Sequence, residues 1–362
     1  MKTKDWWVYH GPGSAKDRLE RLANNQPPWR QFTGTPDPGY EPPGLTGTAG
    51  EETRRRGEGY VPDESEVDAV NTAMYLRRPL LVTGKPGVGK STLAYAIATD
   101  LGLGPVLHWP ITSRTSLRDG LYHYDAISRL HDANLEYLTR KATAASRMGY
   151  GRQSLRLAKP DVGRSPTAAL APYLRLGPLG TALLPQVLPR VLLVDEIDKS
   201  DIDLPGDLLT IFENGDFEIP ELARVATRQP RLGIGTQDDP APRAYIDRGH
   251  VRSRAFPVVV LTSNGERDFP PPFLRRCIRL HIDPPTGPKL KKIVEQRLGL
   301  HADDDRFDKL VEEFLDKRAD GDLATDQLLN AIQLRLSGAW AAPEDHKKFL
   351  ETNFQRLTGP GA

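Results

Sequence analysis

Gly84-Lys85-Pro86-Gly87-Val88-Gly89-Lys90-Ser91 fits the pattern G-x-x-x-x-G-K-[ST] at every fixed position. The chemistry that needs these residue types is phosphate binding. Glycines let backbone N–H groups turn inward around phosphate oxygens with no Cβ in the way. A helix that begins at Ser91 adds partial positive charge at the same point. Lys90 can reach the β- and γ-phosphates of a nucleotide, the Ser91 hydroxyl can coordinate Mg²⁺, and the binding stretch runs on to Thr92. Farther along, Val191-Leu192-Leu193-Val194 ends in Asp195-Glu196. A carboxylate at the end of a buried strand can hold Mg²⁺ through water, and a second directly after it can polarise an attacking water. Val258–Thr262 leads into Ser263-Asn264, where an amide at a strand end could orient that water or sense the γ-phosphate. Arg275 and Arg276 follow a dozen residues later, and guanidinium groups suit the charge on a transferring phosphoryl group. From there they could serve their own site or a neighbour's. Asp198 and Lys199 read as surface or intersubunit charges.

These residues need a scaffold that gathers strand ends. Leu80–Thr83, Val106–Trp109, Val191–Val194, Val258–Thr262 and Ile278–Ile282 are short apolar runs, suited to strands buried on both faces of a parallel sheet. Helical stretches alternate with them, including the amphipathic Ser65–Arg77 and the helix Ser91–Leu101, so residues 61–283 read as a three-layer α/β core. Two insertions interrupt it. Residues 114–189 hold a helix around Leu130–Arg147 and then a loop rich in Arg, Gly and Pro. Residues 222–257 should form a hairpin with a mobile tip. After Pro284-Pro285, the segments Lys289–Leu298, Phe307–Lys317 and Asp326–Leu336 have helical spacing, so residues 284–362 read as a small α-helical domain with a tail. Residues 1–60 form a Pro/Gly-rich extension in which only Ala15–Asn24 reads as helix and Gln26–Gly59 should be irregular. Its Trp6, Trp7 and Trp29 should dock, either on the chain's own core or on a partner.

Composition narrows the classes. Lys and Arg number 49 against 48 Asp and Glu in 362 residues, so a surface built wholly to grip nucleic acid is not expected. The clusters Arg54-Arg55-Arg56 and Arg147, Arg152 and Arg156 could still contact phosphates. No apolar run approaches the roughly 20 residues of a membrane span, and Met1–His10 has no apolar signal region. A single Cys277 allows no internal disulfide and fits a reducing cytoplasm.

Taken in order, the phosphate loop, the apolar strand ending in Asp-Glu, the strand ending in Asn and the arginines before the last strand resemble the AAA+ ATPases over about residues 61–338. The resemblance implies a P-loop core of the ASCE type with a parallel sheet and a helical lid, ATP and Mg²⁺ as ligands, and an oligomeric ring, as a hexamer. In that reading Lys90 and Ser91 bind phosphate and Mg²⁺, Asp195 supports Mg²⁺, Glu196 activates water, and Asn264 is the first sensor. Arg276 is the finger, with Arg275 the second candidate. Finer features resemble the MoxR branch: Leu176-Gly177-Pro178-Leu179, Asp195-Glu196-Ile197-Asp198-Lys199-Ser200 and the stretch Leu208–Glu218. That branch implies remodelling or activation of a partner protein, some partners carrying von Willebrand A domains. The loop around Gly233–Arg254, with Arg231, Arg243, Arg248, Arg252 and Arg254 in or beside it, would then face a pore or partner. One departure stands out. Where a lid helix of this family often begins with an arginine, Ala324-Thr325-Asp326-Gln327 offers Asp326, and Arg335 lies two turns on. Two alternatives stay open: a GTP- or ATP-driven restriction or nucleic-acid motor of the McrB type, and a nucleotide-gated switch that signals by assembly with negligible turnover.

Overall fold

The computed structural model describes residues 3–148, 170–238, 242–299, 305–319, 323–339 and 345–355. In chain order the described strands begin with β1 (Leu80–Thr83), β2 (Leu107–Pro110), β3 (Tyr122–Tyr124), β4 (Leu174–Leu176) and β5 (Val191–Asp195). They continue with β6 (Asp216–Glu218), β7 (Arg231–Gly235), β8 (Arg243–Asp247), β9 (His250–Arg252), β10 (Val258–Ser263) and β11 (Ile278–His281). The five apolar runs become one sheet in the order β11-β1-β10-β5-β2, every pair parallel. Side chains alternate across it. Leu81, Leu192, Val194, Val259 and Leu261 enter one buried cluster, while Leu80, Val82, Val191, Leu193 and Val260 enter another. Each such aliphatic side chain contributes roughly 1.5–3 kcal/mol by leaving water. With both faces covered, the sheet is the middle of three layers, and the α/β fold expected from the sequence holds.

On one face lie the helices Glu64–Leu76 and Lys90–Leu101. The N-terminal segment completes that face. Trp7, Val8 and Tyr9 are fully buried against Val67, Val70 and the helix Lys90–Leu101. Their backbone is held by Asn71, whose Oδ1 accepts from the N–H groups of Val8 (2.6 Å) and Tyr9 (2.9 Å). The Trp7 indole donates to Asp68 at 2.8 Å. Trp7 therefore docks on the chain's own core. Trp6 lies edge-on to it at 6.5 Å, and Trp29 stands 76% exposed.

The expectation that Gln26–Gly59 is irregular fails at its end, where Gly47–Gly57 is a helix. Its three glycines argue against helix by propensity. Packing requires the last of them: a Cβ on Gly57 would stand 2.6 Å from the Tyr95 carbonyl oxygen on the helix Lys90–Leu101, and one on Gly50 would meet the Leu45 backbone that leads into the helix. Close approach between two helices has overridden local preference.

The insertions, joined by β6 just ahead of the second one, build a second sheet that the sequence did not announce, in the order β3-β4-β7-β8-β9-β6. The expected hairpin is present as antiparallel β7 and β8, although its tip, residues 239–241, lies outside the described residues. The described residues of the span Gly233–Arg254 are thus mostly strand. Beside it Arg231 pairs with Asp37 at 2.6 Å, and within it Arg252 pairs with Asp216 at 3.5 Å. The helix expected around Leu130–Arg147 runs from Ala126 to Met148. The Arg/Gly/Pro-rich loop after it, with Arg152 and Arg156, lies outside the described residues, as does the Arg147 side chain.

The C-terminal helices Gly287–Leu298, Asp305–Ala319 and Thr325–Leu336 match expectation, and a fourth, His346–Asn353, joins them. Their apolar side chains, among them Leu290, Phe314, Ile332 and Phe349, form a cluster of their own. Among the described residues no helix is long and apolar enough to cross a membrane.

Candidate active site

The register of the parallel sheet decides what meets what. Thr83 pairs with Ser263, and Leu261 with Val194, so β1, β5 and β10 finish side by side at the carboxyl edge. The loop after β1 needs glycine. Gly84, Gly87 and Gly89 have φ of 151°, 75° and 98°, in the region that other residues avoid. A Cβ on Gly84 would stand 2.4 Å from the Ile282 carbonyl oxygen. Lys85, Pro86 and Gly87 form the exposed tip, and Val88 packs partly into the core. The helix then starts at Lys90, its N-cap Gly89 left-handed.

Lys90 is 7% exposed. Its ammonium donates to the carbonyls of Gly84 (2.8 Å) and Lys85 (2.9 Å) and to Oδ1 of Asn264 (2.8 Å). Burial lowers its pKa, opposed by Asp198, Asp195 and Glu196. Asp195 accepts from the Ser91 hydroxyl (2.7 Å) and the Thr262 hydroxyl (2.6 Å), and its other oxygen lies 3.3 Å from Nε2 of His108. Burial alone would raise the Asp195 carboxyl. The bonds from His108, Thr262 and Ser91 outweigh it and bring the group down to about 2. Asp195 is therefore a firm anion beside Ser91.

Glu196 adopts φ 61° and ψ 49°, one of four non-glycine residues with positive φ among the described residues. Such a conformation costs on the order of 1 kcal/mol or more and persists only where surroundings enforce it. Here the Glu196 N–H donates to the Thr262 hydroxyl at 2.9 Å. The kink turns the carboxylate outward, where it accepts from the Lys199 ammonium at 2.7 Å.

Asp198 corrects the sequence reading. It is 5% exposed and is not a surface charge. Its Oδ2 accepts from the N–H groups of Asn264 (2.8 Å) and Glu266 (3.2 Å), and so fixes the turn that presents Asn264 to Lys90. Thr262 and His108 were missed as well. The only signal for either was a polar residue inside an apolar strand. Gly177 and Leu179 have packing roles: Leu179 is fully buried, and a Cβ on Gly177 would stand 2.5 Å from the Asp119 carbonyl oxygen.

Arg275 and Arg276 are elsewhere. They end the helix Pro271–Arg276 and precede β11, at the amino edge of the sheet, where Arg78 donates to the Arg275 carbonyl at 3.1 Å. Arg276 pairs with Glu213 of its own chain. Arg335 is also away from the loop, bonded to His346 at 2.7 Å and stacked on Phe349 within the helical domain. It is no substitute for an arginine at Asp326.

Two cavities flank the loop. One of about 250 Å³ is lined by Tyr60, Val61, Val88, Thr92, Lys289, Asp326 and Leu329, among others. The second, about 340 Å³, is lined by Arg55, Arg56, Ser91, Thr92, Tyr95 and Arg297. Among the described residues no group of three or more His, Cys, Asp or Glu side chains could hold a metal alone. A hydroxyl and one ionised carboxylate 2.7 Å apart fit Mg²⁺ that takes its remaining ligands from water and phosphate.

The profile of the AAA domain family, dynein-related subfamily, matches residues 79–277, more than half of the chain. The chain belongs to that family. The matched span contains the phosphate loop, β5 with Asp195, β10 and the arginines of the helix Pro271–Arg276, so the AAA+ core is the part that carries the site. Comparison with curated proteins gave no significant match.

Proposed function

We propose that this AAA+ chain hydrolyses ATP with Mg²⁺ in a homo-oligomeric ring, a hexamer, and uses the cycle to remodel or activate a partner protein, as in the MoxR branch. The observation that carries the proposal is the network in which Lys90 contacts Asn264 while Ser91 and Thr262 share Asp195, with Glu196 turned outward beside them. The backbone from Gly84 to Thr92 would cradle the phosphates, and Tyr60, Val61 and Leu329 offer apolar surface for the base and sugar. Ser91 and Asp195 would hold Mg²⁺, which when bound neutralises phosphate charge.

The remaining work falls to the chain's own groups. Lys90 brings a buried cation to the phosphate oxygens. Glu196, freed from Lys199, accepts the proton of the attacking water. The Asn264 amide, held by Asp198, orients that water. Arg276 lies at the far edge of the sheet, so its guanidinium would complete the site of an adjacent subunit. Separation of the two edges supports a shared site and, with it, a ring.

Phosphate release tests the reading. Purified protein is given ATP or GTP with Mg²⁺ over a tenfold range of protein concentration, beside Glu196→Gln. The expected result is ATP turnover that rises more than linearly with protein and is lost in the variant. Preference for GTP would favour the restriction-motor alternative. Absence of turnover with either nucleotide would overturn the proposal.

A further inference from the structure

The cavity of about 340 Å³ beside Ser91 and Thr92 is walled on its other side by arginine. Arg55 and Arg56 come from the last turn of the helix Gly47–Gly57, in the N-terminal extension. That turn does not drift over the surface. Gly57 lies against the Tyr95 backbone, and the Arg56 guanidinium both donates to the Tyr95 hydroxyl at 3.0 Å and stacks on its ring at 5.1 Å. Tyr95 is one helical turn beyond Ser91, on the same face of the phosphate-binding helix.

The lid grips the same turn. Arg297 donates to the carbonyls of Arg55 (3.0 Å) and Arg56 (2.9 Å), closing the exposed end of the helix. Three guanidinium groups thus converge on one cavity; the exposed Glu52 pairs with Arg56 at 2.6 Å, and the exposed Glu58 acts on Arg297 through its charge without an ion pair. Arg55 is exposed and makes no ion pair among the described residues. Gathered cations repel unless an anion joins them. The anion-binding N-terminus of the helix Lys90–Leu101 opens onto the same space through Ser91 and Thr92. The neighbouring cavity, which shares Thr92 and Arg297 with it, is lined by Asp326 and supplies no arginine from the lid helix that starts there.

We propose that Arg55 and Arg56, presented by the N-terminal extension and latched by Arg297 of the lid, form an in-chain arginine site for the phosphate chain of the bound nucleotide. The inference rests on the phosphate-loop reading above and deepens it. It gives the extension a part in nucleotide binding, and it gives the lid a direct hold on the element that supplies the charge. Arginine suits the task because its planar fork can bridge two phosphate oxygens.

The test is calorimetric titration of the full chain with ADP and with a non-hydrolysable imido analogue of ATP, at low and moderate salt with Mg²⁺. The variants are Arg55→Ala/Arg56→Ala, Arg55→Lys/Arg56→Lys, Arg54→Ala and Lys90→Ala. Removing both arginines should weaken binding about ten- to a hundredfold, the range for lost charge-assisted hydrogen bonds. The salt dependence should shrink, the lysine pair should recover part of the loss, and Arg54→Ala should bind as wild type. If the alanine pair binds like wild type while Lys90→Ala has lost binding, the arginine site is refuted and the phosphate loop stands. If Lys90→Ala and wild type bind alike, the phosphate-loop reading itself fails. A loss matched by Arg54→Ala, with an equal drop in thermal midpoint, would reduce the arginines to packing and refute the proposal.

Discussion

Arg276→Ala and Glu196→Gln should each be inactive alone and active together. β1 and β11 are four-residue strands in parallel register, with Arg276 just before the start of β11 and the phosphate loop just after the end of β1. At about 3.3 Å per residue the two points are separated by ~13 Å of sheet, which is longer than an arginine side chain. Arg276 therefore cannot reach the Lys90 of its own chain, and in the proposed shared site a head-to-tail neighbour presents it. Loss of an arginine from phosphoryl transfer costs about 10³-fold or more in rate. In a ring mixed at random one to one, about one interface in four joins an intact Glu196 to an intact Arg276. The mixture should then regain about a quarter of wild-type phosphate release, and Arg275→Ala should fall far less than Arg276→Ala. Full activity of Arg276→Ala alone would refute the reasoning. So would a co-assembled mixture that stays silent.

Other outcomes follow from buried contacts. Asp198→Asn swaps one acceptor oxygen for a donor against two N–H groups and frees the turn that aims Asn264; turnover should fall about tenfold or more with nucleotide affinity little changed, a split that steady-state kinetics beside titration would read. Asp238 is the buried partner of Arg190 (2.7 Å) and of the Tyr40 hydroxyl (2.8 Å), so Asp238→Ala leaves a buried cation alone and should cost roughly 3–5 kcal/mol in a denaturant titration. Lys289 bonds Asp63 (2.6 Å) and the buried Glu66 (2.7 Å), tying the helical domain to the core. Burial works to lower the Lys289 pKa, and those two hydrogen bonds outweigh it and raise the group above 10.5. Its stabilisation is therefore complete below pH 10.5 and fades only as pH climbs through the raised value. Lys289→Met should lower the thermal midpoint by a constant amount from pH 6 to 9, and the difference should close in strong alkali.

The parallel core was legible because strands buried on both faces leave unbroken apolar runs, and the phosphate loop because its glycines, lysine and serine are adjacent in sequence. What escaped depends on register. That Thr262 stands next to Asp195, or that Asp198 folds under Asn264, follows from how β5 and β10 align, and nothing in either segment alone states it. The second sheet escaped for a related reason. Its three-residue strands, such as β3, β4 and β6, pair with partners far along the chain and are too short to show a period. In the extension, glycines at 47, 50 and 57 signal irregular backbone locally, yet the helix forms across them, and Gly57 serves a close helix–helix contact.

The backbone at Glu196 has a consequence for the history of the chain. At φ 61° a glycine or an asparagine would sit with less strain, so selection for a hardier fold would drift away from glutamate there. Keeping it trades thermal robustness for a carboxylate aimed where the fold would not otherwise send one.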